Sequence, residues 1–295
     1  MKTSQISQVR DFNRALTRRI GVLSDDYLGR GRPLGEARIL FEIGPGGADV
    51  RDLRTRLGLD SGYLSRMLRS LEAQGLVASR RADGDGRVRR AVLTRKGRRE
   101  WDTLDRHSRE FAASLLAPLG APQRERLLAA MAEVERLMRA AAVTIVPADP
   151  CDADARACMR AYFDELAQRF EQGFDPGRAP EPEAYLPPGG LFLVARLDGQ
   201  AIGCGALRSH GRGVGEIKHM WVAPSARGLG VAQRLLEALE AHAAATGIRT
   251  LRLDTHRALG EARALYLRNG YREIPRYNDN PYADHWFEKR IARAK

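Results

Sequence analysis

The segment VAPSARGLGVAQRLLEALEAH, which begins at Val222, places two closely spaced glycines at the start of a long amphipathic helix. The preceding EIKHMWV has the composition of a β-strand. Gly228 and Gly230 allow the backbone to approach a ligand closely, because no side chain projects there. A strand, a glycine turn and a helix N-terminus also leave backbone N–H groups pointing outward, which favours a phosphate or pyrophosphate. The segment therefore predicts an α/β fold with an anion-binding turn.

The 295 residues are long for one domain and suit two. Residues up to about Ala142 show a largely helical pattern, whereas strands and helices alternate from VTIVPADP onward. We therefore predict a mainly-α domain over residues 1–141 and an α/β domain over residues 142–295.

Positive charge is concentrated in the first domain. Residues 1–145 contain 28 Lys and Arg against 18 Asp and Glu, whereas residues 146–295 contain 21 against 19. A basic excess confined to one domain favours a polyanionic partner there. No apolar run approaches the roughly 18 to 20 residues of a membrane span, and Cys151, Cys158 and Cys204 have neither metal-ligand spacing nor a paired framework. We therefore expect a cytoplasmic protein that binds neither membrane nor metal.

Two consecutive helical segments, ADVRDLRTRLGL and DSGYLSRMLRSLEAQGLV, predict a helix-turn-helix. The second helix has an inward apolar stripe formed by Leu64, Met67, Leu68 and Leu71. Its outer face is polar and consists of Ser61, Gly62, Tyr63, Ser65, Arg66 and Arg69. The following SRRADGDGRVRRAVL predicts a basic β-hairpin around an Asp-Gly-Asp-Gly turn. A polar helix face for the major groove and a basic hairpin for the minor groove or phosphates favour double-stranded DNA as the partner.

The sequence LGLDSGYLSRMLRSLEAQGLV, followed by DGR and VLTRKG, resembles the MarR family of bacterial transcription regulators over residues 1–141. The resemblance implies a winged helix-turn-helix homodimer that binds a double-stranded DNA operator. It implies dimer contacts from residues 6–20 and from the helices of residues 95–141. Together with Arg69 of the outer face, the implied DNA-binding residues are Ser61, Tyr63, Ser65, Arg66 and the wing-tip Arg87.

The run Arg227-Gly228-Leu229-Gly230-Val231-Ala232 matches the Arg/Gln-x-x-Gly-x-Gly/Ala motif of the GNAT family of N-acyltransferases, and EARALYLRNGYREI resembles the later helix and strand of that family. The resemblance covers residues 143–295 and implies a GNAT fold with a mixed central sheet. It also implies acetyl-CoA as co-substrate, with its pyrophosphate at the glycine turn. The implied cofactor-binding residues are Met220, Trp221, Val222, Arg227, Gly228, Leu229, Gly230, Val231 and Ala232.

The same resemblance implies a mechanism in which a neutral amine attacks the thioester directly. The backbone N–H of Val222 would polarise the acyl carbonyl, and Tyr266 would protonate the leaving thiolate. Glu216 takes the position of the base in one branch of the family, and His219, Asp254 and His256 are the alternatives. One departure is Leu259, because many members of the family have asparagine seven residues before the tyrosine.

The C-terminal RYNDNPYADHWFEK, rich in Tyr, Asn, Asp, His and Trp, predicts an acceptor pocket together with residues 174–185. The candidate substrate-binding residues are His219, His256, Tyr282 and His285. The near-neutral charge of the second domain favours a small amine or an amino acid over a lysine-rich protein tail.

Both halves keep the residue types on which the functions of their families depend. The sequence thus predicts a bifunctional protein, in which a dimeric DNA-binding transcriptional regulator is joined to an acetyl-CoA-dependent N-acetyltransferase. One alternative is a regulator whose GNAT domain only senses acetyl-CoA or an amine ligand, without useful turnover. Another is an enzyme whose winged helix only dimerises.

Overall fold

The computed structural model describes residues 2–21, 27–82, 85–175, 177 and 182–292, with the side chains of residues 81, 82 and 85–88 outside the description. The chain divides into two compact units, residues 1–129 and 130–295. This division and the domain boundary predicted after residue 141 lie on the same helix, Ala121–Ala142.

The first unit combines helices with a small antiparallel sheet. The helices are α1 (Thr3–Ile20), α2 (Leu34–Ile43), α3 (Val50–Leu57), α4 (Ser61–Ala73), α5 (Arg95–Leu116) and α6 (Ala121–Ala142), which continues into the second unit. The strands are β1 (Ala48–Asp49), β2 (Val77–Ala82) and β3 (Asp85–Leu93), in the order β1-β3-β2. Helices α3 and α4 with the β2–β3 hairpin form the predicted winged helix-turn-helix.

Caps and buried leucines define α3 and α4. Gly58 ends α3 in the left-handed conformation (φ +61°), and Asp60 caps α4 by accepting a hydrogen bond from the Tyr63 N–H (2.8 Å). The core of this unit buries one face of both helices through Leu53, Leu64, Leu68 and Leu71, with Met67 half-buried. The predicted inward stripe of the second helix is confirmed, and the opposite face of α4 lies outside this core.

The second unit is a sheet with helices. Its helices are α7 (Ala153–Arg169), α8 (Val231–Ala245) and α9 (Gly260–Arg268). Its strands are β4 (Thr144–Pro147), β5 (Gly190–Leu197), β6 (Gln200–Ser209), β7 (Val214–Val222), β8 (Thr250–Thr255), β9 (Arg272–Ile274) and β10 (His285–Arg290). The described strands form one sheet in the order β4-β5-β6-β7-β8-β10-β9. The predicted α/β fold with a mixed sheet is confirmed, since β7 and β8 are parallel and the other paired strands are antiparallel.

Apolar side chains cover both faces of this sheet. Ala206 and Leu207 of β6 point to opposite faces, because side chains alternate along a strand. Leu207 belongs to a core that includes Leu235 and Leu239 of α8. Ala206 belongs to a separate cluster that includes Cys158 of α7. The two helices therefore hold the sheet from its two sides and fix the central strands.

A bulge and an early separation of strands shape the centre of the sheet. Strands β7 and β8 pair only at residues 214–216 with 250–252, although β7 continues to Val222. The pairing of β6 with β7 shifts register beside Gly205, and His219 opposite it has a φ of +55°. A Cβ atom on Gly205 would lie 2.7 Å from Met220 Sδ and 3.2 Å from Leu239 Cδ1, so a larger residue at the bulge would have to displace these side chains. The later parts of β7 and β8 are left unpaired with each other.

Candidate functional site

Two cavities of the second unit meet where β7 and β8 separate. The polar cavity has a volume of about 520 Å³ and contains Glu216 and Asp254 in its wall. The glycine-loop cavity has a volume of about 480 Å³ and contains Gly228 and Gly230. The residues that line both cavities are Tyr162, Leu166, Met220, Leu259, Ala262 and Tyr266. Ligands in the two cavities would therefore face each other across these six side chains.

The glycine loop presents unused backbone donors at the start of α8. In the part of the chain that the structure describes, no acceptor receives the N–H groups of Gly230, Val231, Ala232 or Gln233. Gly228 and Gly230 have φ values of +80° and +74°, and a Cβ atom at either position would project into open space. Free N–H groups at the positive end of a helix dipole, without side chains in the way, fit a phosphate group.

Most of the predicted cofactor residues line the glycine-loop cavity. These are Met220, Trp221, Val222, Arg227, Gly228, Gly230, Val231 and Ala232. The side chain of Leu229 is instead buried in the core beside α8. Within the motif, Leu229 therefore anchors the loop and its neighbours form the cavity wall.

Arg227 is held by an ion pair across the glycine-loop cavity. Its Nη2 donates to both oxygens of Glu165 (2.7 and 2.6 Å), which also accepts from Trp221 Nε1 (2.9 Å) and Arg169 Nη1 (3.0 Å). Burial acts to raise the pKa of Glu165, but the hydrogen bonds from Arg227, Trp221 and Arg169 outweigh it and lower the pKa. The Arg227 charge is thus neutralised locally, and the network fixes one wall of the cavity.

The backbone of Val222 points a donor toward the unpaired side of β7. The next N–H, that of Ala223, donates to Ile202 O of β6 (2.9 Å). Since successive amides of a strand point to opposite edges, the Val222 N–H faces away from β6. This is the edge along which β7 has separated from β8, as a donor to a bound carbonyl would require.

Tyr266 has an unused phenol at the junction of the cavities. The side chain is 5 % exposed and lines both cavities. None of the described residues forms a hydrogen bond with its hydroxyl group. Burial and then the charge of Asp254 raise the pKa of Tyr266, so that the phenol keeps its proton. This arrangement suits the predicted proton donor.

Glu216 is buried under a dense set of donors. Its carboxylate contacts Arg208 Nη2 (2.5 Å), Tyr277 OH (2.9 Å), His210 Nε2 (3.1 Å), Lys218 Nζ (3.2 Å) and Asn278 Nδ2 (3.2 Å). Burial acts to raise its pKa, but the charge of Lys218, the His210 hydrogen bond and Arg208 outweigh it and lower the pKa to about 2. Such a carboxylate holds protons weakly, which disfavours the predicted role of general base.

Asp254 shares the cations of the polar cavity with Glu216. Lys218 Nζ lies 2.5 Å from Asp254 Oδ2, to which Asn278 Nδ2 also donates (2.7 Å). The other oxygen, Oδ1, accepts from Asn280 Nδ2 (2.7 Å) and from no other described group. Asp254 therefore retains acceptor capacity toward the cavity.

The predicted histidines differ in their surroundings. Buried His219 bonds Tyr185 OH through Nε2 (2.8 Å), and burial lowers its pKa to about 3. His256 stacks on Phe170 (3.9 Å between ring centroids), accepts the Ala258 N–H at Nδ1 (3.0 Å), and has its pKa lowered mainly by burial. Both rings line the polar cavity. The lowered pKa of His219 disfavours proton uptake by this side chain near neutral pH, and Nε2 of His256 lies 3.6 Å from Asp284 Oδ2.

His285 lies outside both cavities, unlike the other predicted substrate residues. Its Nδ1 contacts Glu273 Oε1 (2.6 Å), which directs the ring to the neighbouring strand. Tyr282 does line the polar cavity, and its hydroxyl accepts the Asp175 N–H (2.9 Å). Its ring lies 5.0 Å from that of Phe174, so the two form an aromatic wall with Phe170 and His256.

The outer face of α4 in the first unit presents the predicted reading residues. Ser61, Arg66 and Arg69 are exposed, whereas Tyr63 and Ser65 are half-buried. The Arg66 guanidinium lies over the Tyr63 ring, 5.9 Å from its centroid. The side chain of Arg87, the predicted wing-tip residue, lies outside the described residues.

A buried carboxylate, that of Glu36, forms hydrogen bonds with the C-terminal part of α4. Glu36 of α2 accepts hydrogen bonds from Ser70 Oγ (2.7 Å) and Gln74 Nε2 (3.0 Å), and it pairs with Arg32 (3.3 Å). Arg32 also donates to Glu100 of α5 (3.2 Å). This network joins α2, α4 and α5, and it sets the position of the outward-facing helix.

Known protein families match each half of the chain. The model of the Acetyltransferase (GNAT) family matches residues 157–271, and that of the MarR family matches residues 30–88. An uncharacterized N-acetyltransferase of Schizosaccharomyces pombe is 31 % identical over 131 residues, which are 43 % of this chain and 80 % of that protein. The chain belongs to the GNAT acetyltransferase family. Members of this family use acetyl-CoA.

Two further relatives of this GNAT chain match shorter stretches. An IAA acetyltransferase of Azospirillum brasilense is 43 % identical over 81 residues, 27 % of this chain and 53 % of that protein. An uncharacterized HTH-type transcriptional regulator of Bacillus subtilis is 30 % identical over 83 residues, 28 % of this chain and 51 % of that protein. The GNAT chain thus spans about half the length of each. The predicted fusion of a MarR region with a GNAT acetyltransferase domain is confirmed.

Two negative findings apply to the described ranges of the GNAT chain. Their helices are too short or too polar to cross a bilayer. Their His, Cys, Asp and Glu side chains form no group of three or more that could hold a metal ion.

Several cavity residues of the GNAT domain were missed by sequence reasoning. They are Tyr162, Arg208, Lys218, Asn278 and Asn280, all in the wall of the polar cavity. Asn278 and Asn280 lie in the C-terminal segment already predicted to form a pocket, so composition gave a partial signal. Tyr162, Arg208 and Lys218 lie within an ordinary helix and two strands, where nothing in the local pattern distinguishes them from surface residues.

Proposed function

We propose that the chain is an acetyl-CoA-dependent N-acetyltransferase, acting on a small amine or an amino acid, joined to a DNA-binding regulator. The junction of the two cavities at Tyr266 is the observation that carries the enzymatic part. One cavity has the free donors that a pyrophosphate needs, and the other has a polar and aromatic wall. A phenol with its proton lies between them.

The residues of the glycine loop fit acetyl-CoA. The N–H groups at the start of α8 would hold its pyrophosphate, and Met220 and Val222 would lie along the arm that carries the thioester. When bound, acetyl-CoA supplies an activated acetyl group to an amine in the polar cavity.

The chain contributes positioning, a carbonyl-polarising donor and a proton. The Val222 N–H stabilises negative charge on the acyl oxygen, as preorganised donors do in acyl transfer. Tyr266 supplies a proton to the thiolate. Glu216 holds Arg208 and Lys218 in place, and Asp254 Oδ1, with its single described donor, is the candidate to accept the proton of the amine through water.

Release of thiol from acetyl-CoA, measured with a panel of amino acids and small amines, tests the enzymatic proposal. Turnover with at least one acceptor is the expected result. Tight binding of acetyl-CoA by calorimetry, without turnover on any acceptor, would contradict it and favour the sensor alternative.

For the first half, we propose binding of double-stranded DNA through α4 and the β2–β3 hairpin. The exposed Arg66 and Arg69 and the basic excess of this half support it. The test uses duplexes that the full chain selects from a random pool. Arg66→Ala is expected to weaken binding and to lower the slope of log affinity against log salt concentration by about one if Arg66 contacts a phosphate.

Arg38→Ala is the matched control for the DNA experiment. Arg38 is an exposed arginine of α2 that pairs with Glu42 (2.7 Å), away from the outer face of α4. Equal losses from Arg66→Ala and Arg38→Ala would indicate only non-specific charge attraction. Absence of any selected duplex would favour an enzyme whose winged helix only dimerises.

A further inference from the structure

Arg208 is a cation of the polar cavity with most of its hydrogen-bonding capacity unused. Its one hydrogen bond to a described residue runs from Nη2 to Glu216 (2.5 Å). Its Nε is buried and, within the described ranges, has no partner. A guanidinium has five N–H donors, and a buried donor without an acceptor destabilises the fold. Because the buried Nε is out of reach of a ligand, the donor available to an acceptor outside the chain is Nη1, which has no partner among the described residues.

Strand register brings three other charged side chains together beside Arg208. Arg208 on β6 pairs in register with Glu216 on β7, and Lys218 follows on the same face of β7. Asp254 reaches this group from the end of β8 through its ion pair with Lys218 (2.5 Å). Two cations and two carboxylates thus balance within the wall of the polar cavity.

The four charged side chains differ in how many hydrogen-bond and ion-pair partners they have. Lys218 contacts both carboxylates, and Glu216 has five donors. The unused capacity is therefore the Nη1 group of Arg208 and one acceptor position on Oδ1 of Asp254, which receives a single described hydrogen bond, from Asn280. Asp175 and Asp279 also line this cavity, and Asp279 forms an ion pair with Arg276 (2.9 Å). The cluster of Arg208, Glu216, Lys218 and Asp254 is net neutral, and its one free donor group and one remaining acceptor position match a zwitterion better than a polyamine or a simple acid.

One wall of the polar cavity is aromatic. Phe170, Phe174 and Tyr282 line it together, with ring centroids 5.0 to 6.0 Å apart. A volume of about 520 Å³ lies within the range of small-molecule sites, which combine apolar walls with a few fixed polar groups. The aromatic wall favours a flat or bulky apolar group on the ligand.

We propose that the acceptor is an amino acid with an aromatic or large apolar side chain. Its carboxylate pairs with Arg208, its amino group lies toward Asp254, and its side chain packs on the aromatic wall. This rests on the proposed N-acetyltransferase function. The ammonium group first gives a proton through water to Asp254, because only the neutral amine can attack. Its nitrogen then forms a C–N bond with the acetyl carbon as the thioester C–S bond breaks, and it loses its second proton to water. Tyr266 gives a proton to the thiolate and is reprotonated from water.

The test compares acceptors that differ only in the carboxylate: phenylalanine with phenethylamine, tyrosine with tyramine, and tryptophan with tryptamine. The ratio of kcat/KM for each amino acid to that for its amine isolates the carboxylate contribution. The full chain is expected to prefer the amino acid at least tenfold. In Arg208→Gln, KM should rise at least tenfold for the amino acid and change less than twofold for the amine.

Two further variants separate recognition from misfolding. Arg208→Lys keeps the charge without the fork, so we expect partial recovery of the ratio. Tyr277→Phe removes one hydrogen bond to Glu216 from a residue outside the wall of the polar cavity, and the ratio should stay that of the unmodified chain. Equal losses for amino acid and amine in Arg208→Gln would overturn the proposal.

Calorimetry with the same acceptors keeps this test independent of turnover. Binding of phenylalanine but not of phenethylamine, lost in Arg208→Gln, would support the carboxylate contact even if no acetyl transfer occurred. That result would contradict the proposed enzymatic function but not the proposed contact between Arg208 and the carboxylate. Turnover of amines without preference for the amino acids would overturn the substrate proposal and leave the proposed enzymatic function standing.

Discussion

Tyr266 is the residue whose environment most directly suggests its chemistry. Its phenol is buried, keeps its proton and faces both cavities. We expect Tyr266→Phe to lower kcat by about 100-fold or more, as the removal of a general acid does. The dissociation constant of acetyl-CoA, measured by calorimetry, should change little because the glycine loop is untouched.

Tyr271→Phe is the matched control for this prediction. Tyr271 is a buried tyrosine close to Tyr266, with ring centroids 5.8 Å apart, but it lines neither cavity. Its kcat should remain within about twofold of the unmodified chain, because Tyr271 lies outside the reacting geometry. A similar fall of kcat in both variants would assign the effect of Tyr266→Phe to packing.

The depressed pKa of Glu216 makes stability depend on pH. Its pKa falls from 4.5 to about 2 on folding, so the stabilisation is complete above pH 4.5 and is lost as pH falls toward 2. The shift corresponds to about 3 kcal/mol. Glu216→Gln should therefore lower the free energy of unfolding at pH 7 by about that amount. Urea unfolding from pH 7 to pH 3 should show this difference shrinking below pH 4.5.

Glu237→Gln, at an exposed position of α8 beside Gln233, controls for general charge effects. It should change the free energy of unfolding by no more than about 0.5 kcal/mol, as is usual for surface sites. A Glu216→Gln difference that stays constant down to pH 3 would contradict the link to the buried carboxylate.

At the scale of elements, the glycine loop and the start of α8 act as one unit. Gly230 caps α8 with a φ of +74°, a conformation that costs about 1–2 kcal/mol for residues with a Cβ atom. Gly230→Ala should shift the loop and place a methyl group where a phosphate would lie. We expect the dissociation constant of acetyl-CoA to rise by about tenfold or more, equivalent to at least 1.4 kcal/mol.

Gly247→Ala is the matched control for this measurement. Gly247 also has a positive φ (+88°) and open space around it, but it lines neither cavity. Both variants should lose similar thermal stability, whereas only Gly230→Ala should bind acetyl-CoA more weakly. Parallel losses of affinity would show that backbone strain, and not the anion site, decides binding.

At the scale of the whole molecule, two helices expose apolar faces. On α1 these residues are Ile6, Val9, Phe12 and Leu16, and on α6 they are Leu128, Met131, Val134, Leu137 and Met138. Neither helix contains a buried residue. Several exposed apolar side chains on one helix favour an interface, and these helices are among those in which the MarR resemblance implies dimer contacts.

We therefore expect the full chain to form a homodimer that Phe12→Glu dissociates. A charge inserted into an apolar interface has to be desolvated without a partner, which opposes association. Sedimentation over a concentration series should show a monomer for Phe12→Glu and a dimer for Gln8→Glu, which changes an exposed polar residue of the same helix. A dimer of unchanged affinity in Phe12→Glu would exclude α1 from the interface.

The sequence by itself determined the two families and most elements. Gly58 ends α3 and Asp60 caps the start of α4 through hydrogen bonds with residues close in sequence. The glycine motif forms its turn within six positions. Such signals are local, because hydrogen bonds at helix ends and backbone conformations depend on residues close in sequence. The winged helix and the strand–turn–helix of the second half could therefore be predicted.

The tertiary structure decided the chemistry of the polar cavity. Glu216 was predicted as a base, yet the charge of Lys218, the His210 hydrogen bond and Arg208 outweigh its burial and keep it strongly ionised. Arg208 became a candidate substrate-binding residue only because β6 aligns it with Glu216. A pKa and a free hydrogen-bonding group depend on side chains up to about 60 positions away, which meet only when strands take their register.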